Sequence, residues 1–325
     1  MKAQSFLASA IGFGVLLAAA LSAQAATEVR YGLWAKPGEA QYTAAEKFKE
    51  VLEKSSNGAF KVTLFPGDVL GTEAEQAEQL ALGTTQVFAS GWAGMKQIEY
   101  LALPYLMNNV KNYVGVIESP IGQQWNEELA TKSKVRIIGF LNRSPRQISA
   151  NRPINKMDDL KSLKIRVPEL DYYVKSFVAF GARPTPMAFG EVYTALQAGT
   201  VDGQENPIET IYAQKFYEVQ KSIAIVDYIK KPAYVMVGMP FWSKLNAQEK
   251  DLVLKAQRAS EAVVDEILPK QQEELLAKMK QSGIQITYPD KADFVKATQS
   301  VRDELGQKAW GDKLYKEIVL IGQRP

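Results

Sequence analysis

This chain contains no cysteine and no histidine, so any group that binds, orients or reacts is an arginine, lysine, carboxylate, hydroxyl, amide, aromatic ring or backbone group. Thiol nucleophiles, disulfides, Cys/His zinc sites, Ser-His-Asp triads and histidine general bases each need one of the missing side chains and are excluded. Arg166 is the first candidate. It sits between Ile165 and Val167 in a half-buried strand pattern, just before Pro168. A buried guanidinium demands an anion, either an internal Asp or Glu or the carboxylate of a ligand, which its planar fork grips with two parallel bonds. Arg146, at a strand-to-loop junction twenty positions earlier, is a second candidate, with a solvated surface arginine as the plain alternative. Asn206, in Gly203-Gln-Glu-Asn-Pro207, falls at the crevice-facing end of a strand and either meets a ligand or caps the next helix. Glu205 in the same turn orients a neighbour or a hinge. Trp34 and Trp92 each end a strand, as core packing or as a ligand wall. The pair Lys230-Lys231 reads as a solvated turn. No carboxylate pair has a glycosidase spacing, and no Gly-rich phosphate loop, Gly-x-Ser-x-Gly elbow or metal-ligand cluster is present, so neither a metal nor a cofactor is expected.

The elements that carry these residues follow an α/β pattern. Of 325 residues, 46% are hydrophobic and 23% charged, enough for a sizeable core and for two lobes. The net charge of +3 does not point to a nucleic-acid partner. Lys2, the apolar run Phe6–Leu21 and Ala23-Gln24-Ala25 have the order of a secretory signal cleaved after Ala25, with residues 1–25 removed. Such a chain is expected in the periplasm, free and untethered. Strand Val29–Trp34, a helix over Gln41–Ser56 whose Ala44, Ala45, Phe48, Val51 and Leu52 share one face, strand Phe60–Leu64 and strand Val87–Ala89 alternate as in a mostly parallel sheet flanked by helices. After strand Val135–Leu141 the polar segment Asn142–Gln147 marks a lobe change. A second α/β set follows through Lys164–Val167, Tyr172–Phe180, Pro184–Met187, Glu191–Ala198 and Val201–Pro207, and Ala233–Met239 returns to the first lobe. Asn246-Ala-Gln-Glu249 opens a long helix that runs to Ser282 before Gly283, with Pro269 either bending it or dividing it in two. The expected division is 26–143 plus 232–271 for lobe I and 144–231 plus 272–325 for lobe II, with the long helix spanning both.

Several ordered motifs carry a resemblance. Asn151-Arg-Pro-Ile154, Asp159–Glu169 with Lys-Ile-Arg-Val-Pro, Gly181–Gln197 with Pro-Thr-Pro-Met-Ala-Phe, Val201–Pro207 and Gln214–Val219 are joined by Phe65–Gly71 and Leu103–Leu106 in the first half. Together they resemble the extracytoplasmic solute-binding subunit of TRAP transporters, the family named for C4-dicarboxylate uptake, which also includes sialic-acid receptors. The resemblance implies a two-lobed periplasmic binding protein fold that closes on an organic acid and delivers it to the small and large membrane subunits of a TRAP permease. It implies a receptor, not an enzyme, working as a monomer. It places the principal salt bridge to the ligand carboxylate on Arg166, support for the same carboxylate on Arg146, a hydrogen bond on Asn206 and a pocket wall on Phe189. The first lobe departs from the sialic-acid receptors: Trp34 replaces a small polar residue, and the Ser90-Gly91-Trp92 turn stands where they have a glutamate. Glu73 keeps an acid that accepts from hydroxyls. These positions favour a hydroxylated monocarboxylate such as a sugar acid, with an aromatic acid open and a short dicarboxylate served by Lys36 as the contrary case. Two other functions stay in view: an exported enzyme acting on small organic acids with Glu73 or Glu205 as base, and a receptor serving a sensor protein. With no histidine to titrate, binding is expected to be nearly flat between about pH 6 and 8.

Overall fold

The computed structural model describes residues 26–325; the expected signal segment, 1–25, lies outside the described residues. Two mixed sheets organise the chain. The first has the order β2-β1-β3-β10-β4, from β1 (Thr27–Leu33), β2 (Phe60–Pro66), β3 (Val87–Ser90), β4 (Val135–Leu141) and β10 (Ala233–Gly238). The second has the order β11-β9-β5-β8-β6-β7, from β5 (Arg146–Ala150), β6 (Lys164–Val167), β7 (Arg183–Pro186), β8 (Gly203–Pro207), β9 (Ser222–Ala224) and β11 (Gln285–Thr287). Each sheet is parallel apart from one strand. That strand is the one that enters from the other sheet with no helix between: β10 runs antiparallel to β3 and β4, and β5 runs antiparallel to β8 and β9.

Polar residues conceal β5. Arg146, Gln147 and Ser149 sit in a strand buried along its whole length, and their side chains are satisfied: Gln147 Oε1 accepts from the Val226 amide at 2.8 Å, and Ser149 Oγ accepts from Gln204 at 2.8 Å. The segment read as a polar junction therefore belongs partly to a central strand. Gly203, paired with Ala150, explains how close β8 can lie to it: a Cβ at Gly203 would fall 2.4 Å from the Ser149 carbonyl oxygen.

Helices cover both sheets. The helix Ala40–Ser55 buries Ala44, Ala45, Phe48 and Leu52 against the first sheet's core. The helix Ala247–Gln281 is continuous for 35 residues, with Pro269 inside it, and opens on an Asn246/Glu249 capping box. Its Val253, Ala256, Val264 and Leu268 enter the first core, whereas Leu275 and Met279 enter a second core with Ile208, Ile211 and Phe216. Pro269 thus falls where one helix passes from one core to the other. A third cluster joins Tyr234 and Met236 of the first sheet to Ile148, Ile165 and Val167 of the second through Tyr172, Tyr173 and the C-terminal helix Gln299–Gly322, which kinks at Gly311. That last helix touches both halves, with Trp310 donating to the Gln97 carbonyl and Glu304 bonding Lys175. No helix among the described residues is long and apolar enough to cross a membrane.

Candidate ligand-binding site

A cavity opens between the ends of the two sheets. The first half contributes Trp34 after β1, Asp68 after β2, Glu73, and Gly91-Trp92 after β3; the second contributes Arg146, Arg166, Tyr173, Phe189 and Asn206, and Arg143 and Lys231 come from the crossing segments. Seven of the eight residues singled out from the sequence therefore line one cavity. Ser90 does not: it is fully buried and donates to Glu73 Oε1 at 2.6 Å while accepting from the Trp92 amide at 2.9 Å, so it holds Glu73 in place.

Arg166 is 3% exposed. Its Nε and Nη2 donate to the Met187 carbonyl at 3.0 and 2.5 Å, and Phe189 lies 6.0 Å from the guanidinium. No internal carboxylate pairs with it among the described residues. Burial lowers it to about 10, with the charge of Glu205 opposing that shift, so it remains a cation at neutral pH. A carbonyl takes up hydrogen bonds but no charge, leaving a buried cation that suits an incoming anion.

Arg146 is different. Its guanidinium makes a buried ion pair with Glu205, whose Oε1 accepts from Nη2 at 2.6 Å, and Tyr228 donates to Glu205 at 2.5 Å. Burial alone would lower Arg146, but Glu205 outweighs it and the group is held well above its ordinary range. Arg146 Nη2 also donates to Asn206 Oδ1 at 3.0 Å, and Tyr173 lies 5.2 Å from the guanidinium. Glu205 therefore orients a neighbour. Asn206 does not cap: the helix Ile208–Ala213 has Pro207 at its N-cap, and the Asn206 amide donates to Gln204 at 2.7 Å.

Two readings of the sequence need correction. Lys231 is no solvated turn: it is 4% exposed, pairs with buried Glu99 at 3.6 Å and donates to the Gly91 carbonyl at 2.5 Å, because the chain crosses the interior there. Lys36 does not supply a second basic group to the cavity, since its ammonium is drawn to Gln214 at 2.8 Å. Histidine is not the sole route to titration near neutrality: burial, reinforced by the charge of Glu73, raises the cavity residue Asp68 to about 7, and burial raises Glu39 to about 8. Arg143 went unrecognised because it sits in the polar run Asn142–Gln147 with no periodicity to mark it as buried. Only the β4-to-β5 crossing, invisible in a local pattern, turns it inward. Among the described residues no cluster of metal-ligating side chains occurs.

Comparison with known proteins identifies the family. The model of bacterial extracellular solute-binding proteins, family 7, matches residues 31–309. The sialic acid-binding periplasmic protein SiaP of Vibrio cholerae is 35% identical over 89% of this chain and 91% of its own length. The C4-dicarboxylate-binding periplasmic protein DctP of Rhodobacter capsulatus is 30% identical over 95% of this chain and 96% of its own. A TRAP periplasmic solute-binding protein of Roseobacter denitrificans, solved with bound L-galactonate, superimposes with a TM-score of 0.82 at 30% identity, covering 90% of this chain and 97% of that one. The chain belongs to family 7 of the bacterial extracellular solute-binding proteins, the DctP family.

Proposed function

We propose that this protein is a periplasmic receptor that captures an organic monocarboxylate, a sugar acid, between its two lobes and delivers it to the small and large membrane subunits of a TRAP permease. The observation that carries this reading is Arg166: a buried guanidinium in the cavity, charged at neutral pH, with a carbonyl but no carboxylate as its partner among the described residues. The ligand carboxylate docks there, Asn206 and Phe189 bound the same pocket, and Arg146, already paired with Glu205, lines it and supports the same carboxylate. The lobes, divided as 26–143 plus 232–271 and 144–231 plus 272–325, close over it, and desolvation strengthens the ion pair. Reversible capture uses no turnover; the alternative of an exported enzyme with Glu73 or Glu205 as base is weakened by the commitment of Glu205 to Arg146 and Tyr228. A cleaved signal and a monomeric state complete the proposal.

A thermal-shift screen across organic acids tests it, because a ligand bound only by the folded chain raises Tm by mass action. Aldonates and uronates are expected to give the largest rises, with no product formed on incubation. A screen in which only cations or uncharged sugars raise Tm would contradict the reading.

A further inference from the structure

We propose that Arg143 and Glu73, walled by Trp34, form a hydroxyl subsite that makes the receptor select a hydroxylated monocarboxylate over a dicarboxylate; this rests on the carboxylate-receptor reading above. Arg143 is buried, at 7% exposure, yet has no carboxylate partner among the described residues. Its one side-chain bond is from Nη2 to Thr210 Oγ1 at 3.1 Å, and its Nε–H donates to nothing. The guanidinium lies 4.7 Å from the ring of Trp34, whose indole N–H is also buried and without an acceptor. Leaving buried donors unpaired costs about 1–3 kcal/mol each, and both of these belong to residues that line the cavity.

Gly91 shows what lies opposite. A Cβ there would sit 3.4 Å from Arg143 Nη1 and 3.7 Å from Glu73 Oε1, so both groups flank the same spot while forming no ion pair with each other. Ser90 and the Gly91 amide hold Glu73 Oε1, and Oε2 accepts from nothing among the described residues. A ligand hydroxyl can accept from Arg143 and donate to Glu73 at once. A second carboxylate can only accept; it would face Glu73 directly and feel Glu209, whose charge already acts on Arg143. The absence of a side chain at Gly91 keeps the space between the two groups open.

The test is calorimetric titration of wild type and Arg143→Met with three probes: the four- to six-carbon aldonate that raises Tm most, its mono-deoxy analogues, and the aldarate formed by oxidising its far end. Wild type is expected to bind the aldonate at least about tenfold more tightly than the aldarate. At one position, loss of the hydroxyl is expected to weaken wild-type binding by about 10- to 100-fold, the worth of a hydrogen bond to a charged group. Arg143→Met should weaken binding of the parent aldonate similarly and be indifferent to that hydroxyl. Should Arg143→Met not fold, Arg143→Lys and the ligand series on wild type decide the matter. Tighter aldarate binding, or losses that are additive at every position, would overturn the subsite while leaving the receptor reading intact. Carboxylates that bind while no aldonate does would overturn it too. If no carboxylate binds at all, the receptor reading itself fails first.

Discussion

At the scale of residues, the cavity combines cations of two kinds. Arg146 and Lys231 are matched by Glu205 and Glu99, whereas among the described residues Arg143 and Arg166 have no carboxylate within ion-pair distance. Matched pairs shape the site and unmatched cations attract the ligand. The acid side is set by Asp68, whose carboxyl accepts from Gln76 at 2.9 Å and is pushed up to about 7 by burial and then by the charge of Glu73, against the weaker pull of Lys36. As pH rises through 7, Asp68 gains a negative charge beside an incoming anion. Affinity for an acid ligand is therefore expected to fall about three- to tenfold between pH 6 and 8, the factor given by roughly 1 kcal/mol of repulsion. Titration calorimetry at pH 6, 7 and 8 checks this, and Asp68→Asn should flatten the profile; a rise in affinity with pH would exclude Asp68 as the controlling group.

At the scale of elements, the site depends on the pairing of β5 with β8, which sets Arg146 opposite Pro207 and Gln147 opposite Asn206. Gly203 permits that pairing. Gly203→Ala puts a methyl group against the Ser149 carbonyl and forces the strands apart, at a cost of about 1–3 kcal/mol, typical of overpacking. Urea unfolding should show that loss and calorimetry a weaker ligand affinity; unchanged values of both would mean that the strand spacing does not position Arg146 and Asn206. Legibility in the sequence divides along the same lines. Helix Ala40–Ser55 and strands β1 to β4 follow from apolar periodicity, and the long helix from its capping box. Strands β5, β9 and β11 are short or polar, and satisfy their buried side chains through partners far along the chain, as Gln147 does with Val226. Arg166 could be recognised from its apolar neighbours, but Arg143 and Lys231 could not, since only the crossings between sheets bury them, and Asp68 is a half-buried residue of the turn after β2.

At the scale of the molecule, two sheets, a shared aromatic core and two long helices hold the cavity between halves that meet along polar as well as apolar surfaces. Glu39 belongs to that meeting: it is buried, takes the Lys36 amide at 2.7 Å, and feels Glu209 from the other half. Its carboxyl is raised from 4.5 to about 8, chiefly by burial. Between those values the folded chain binds more protons than the unfolded one, so stability is greatest on the acid side and falls as pH rises, by up to about 1.4 kcal/mol per pH unit from this group. Asp68 acts in the same direction, while Glu53 and Glu75, which are lowered, act only at more acid pH. Urea unfolding at pH 5.5, 6.5 and 7.5 should show the decline and Glu39→Gln a shallower one; stability rising over this range would contradict it. Capture of a carboxylate by Arg166 is the event that all of these parts serve. Titration calorimetry of Arg166→Ala with the acid that most raises the wild-type Tm tests it most directly, with circular dichroism to confirm folding. The expected result is a loss of about 2–5 kcal/mol, or roughly 30- to several-thousand-fold in Kd, in a normally folded protein. A folded Arg166→Ala protein with wild-type affinity would contradict the account.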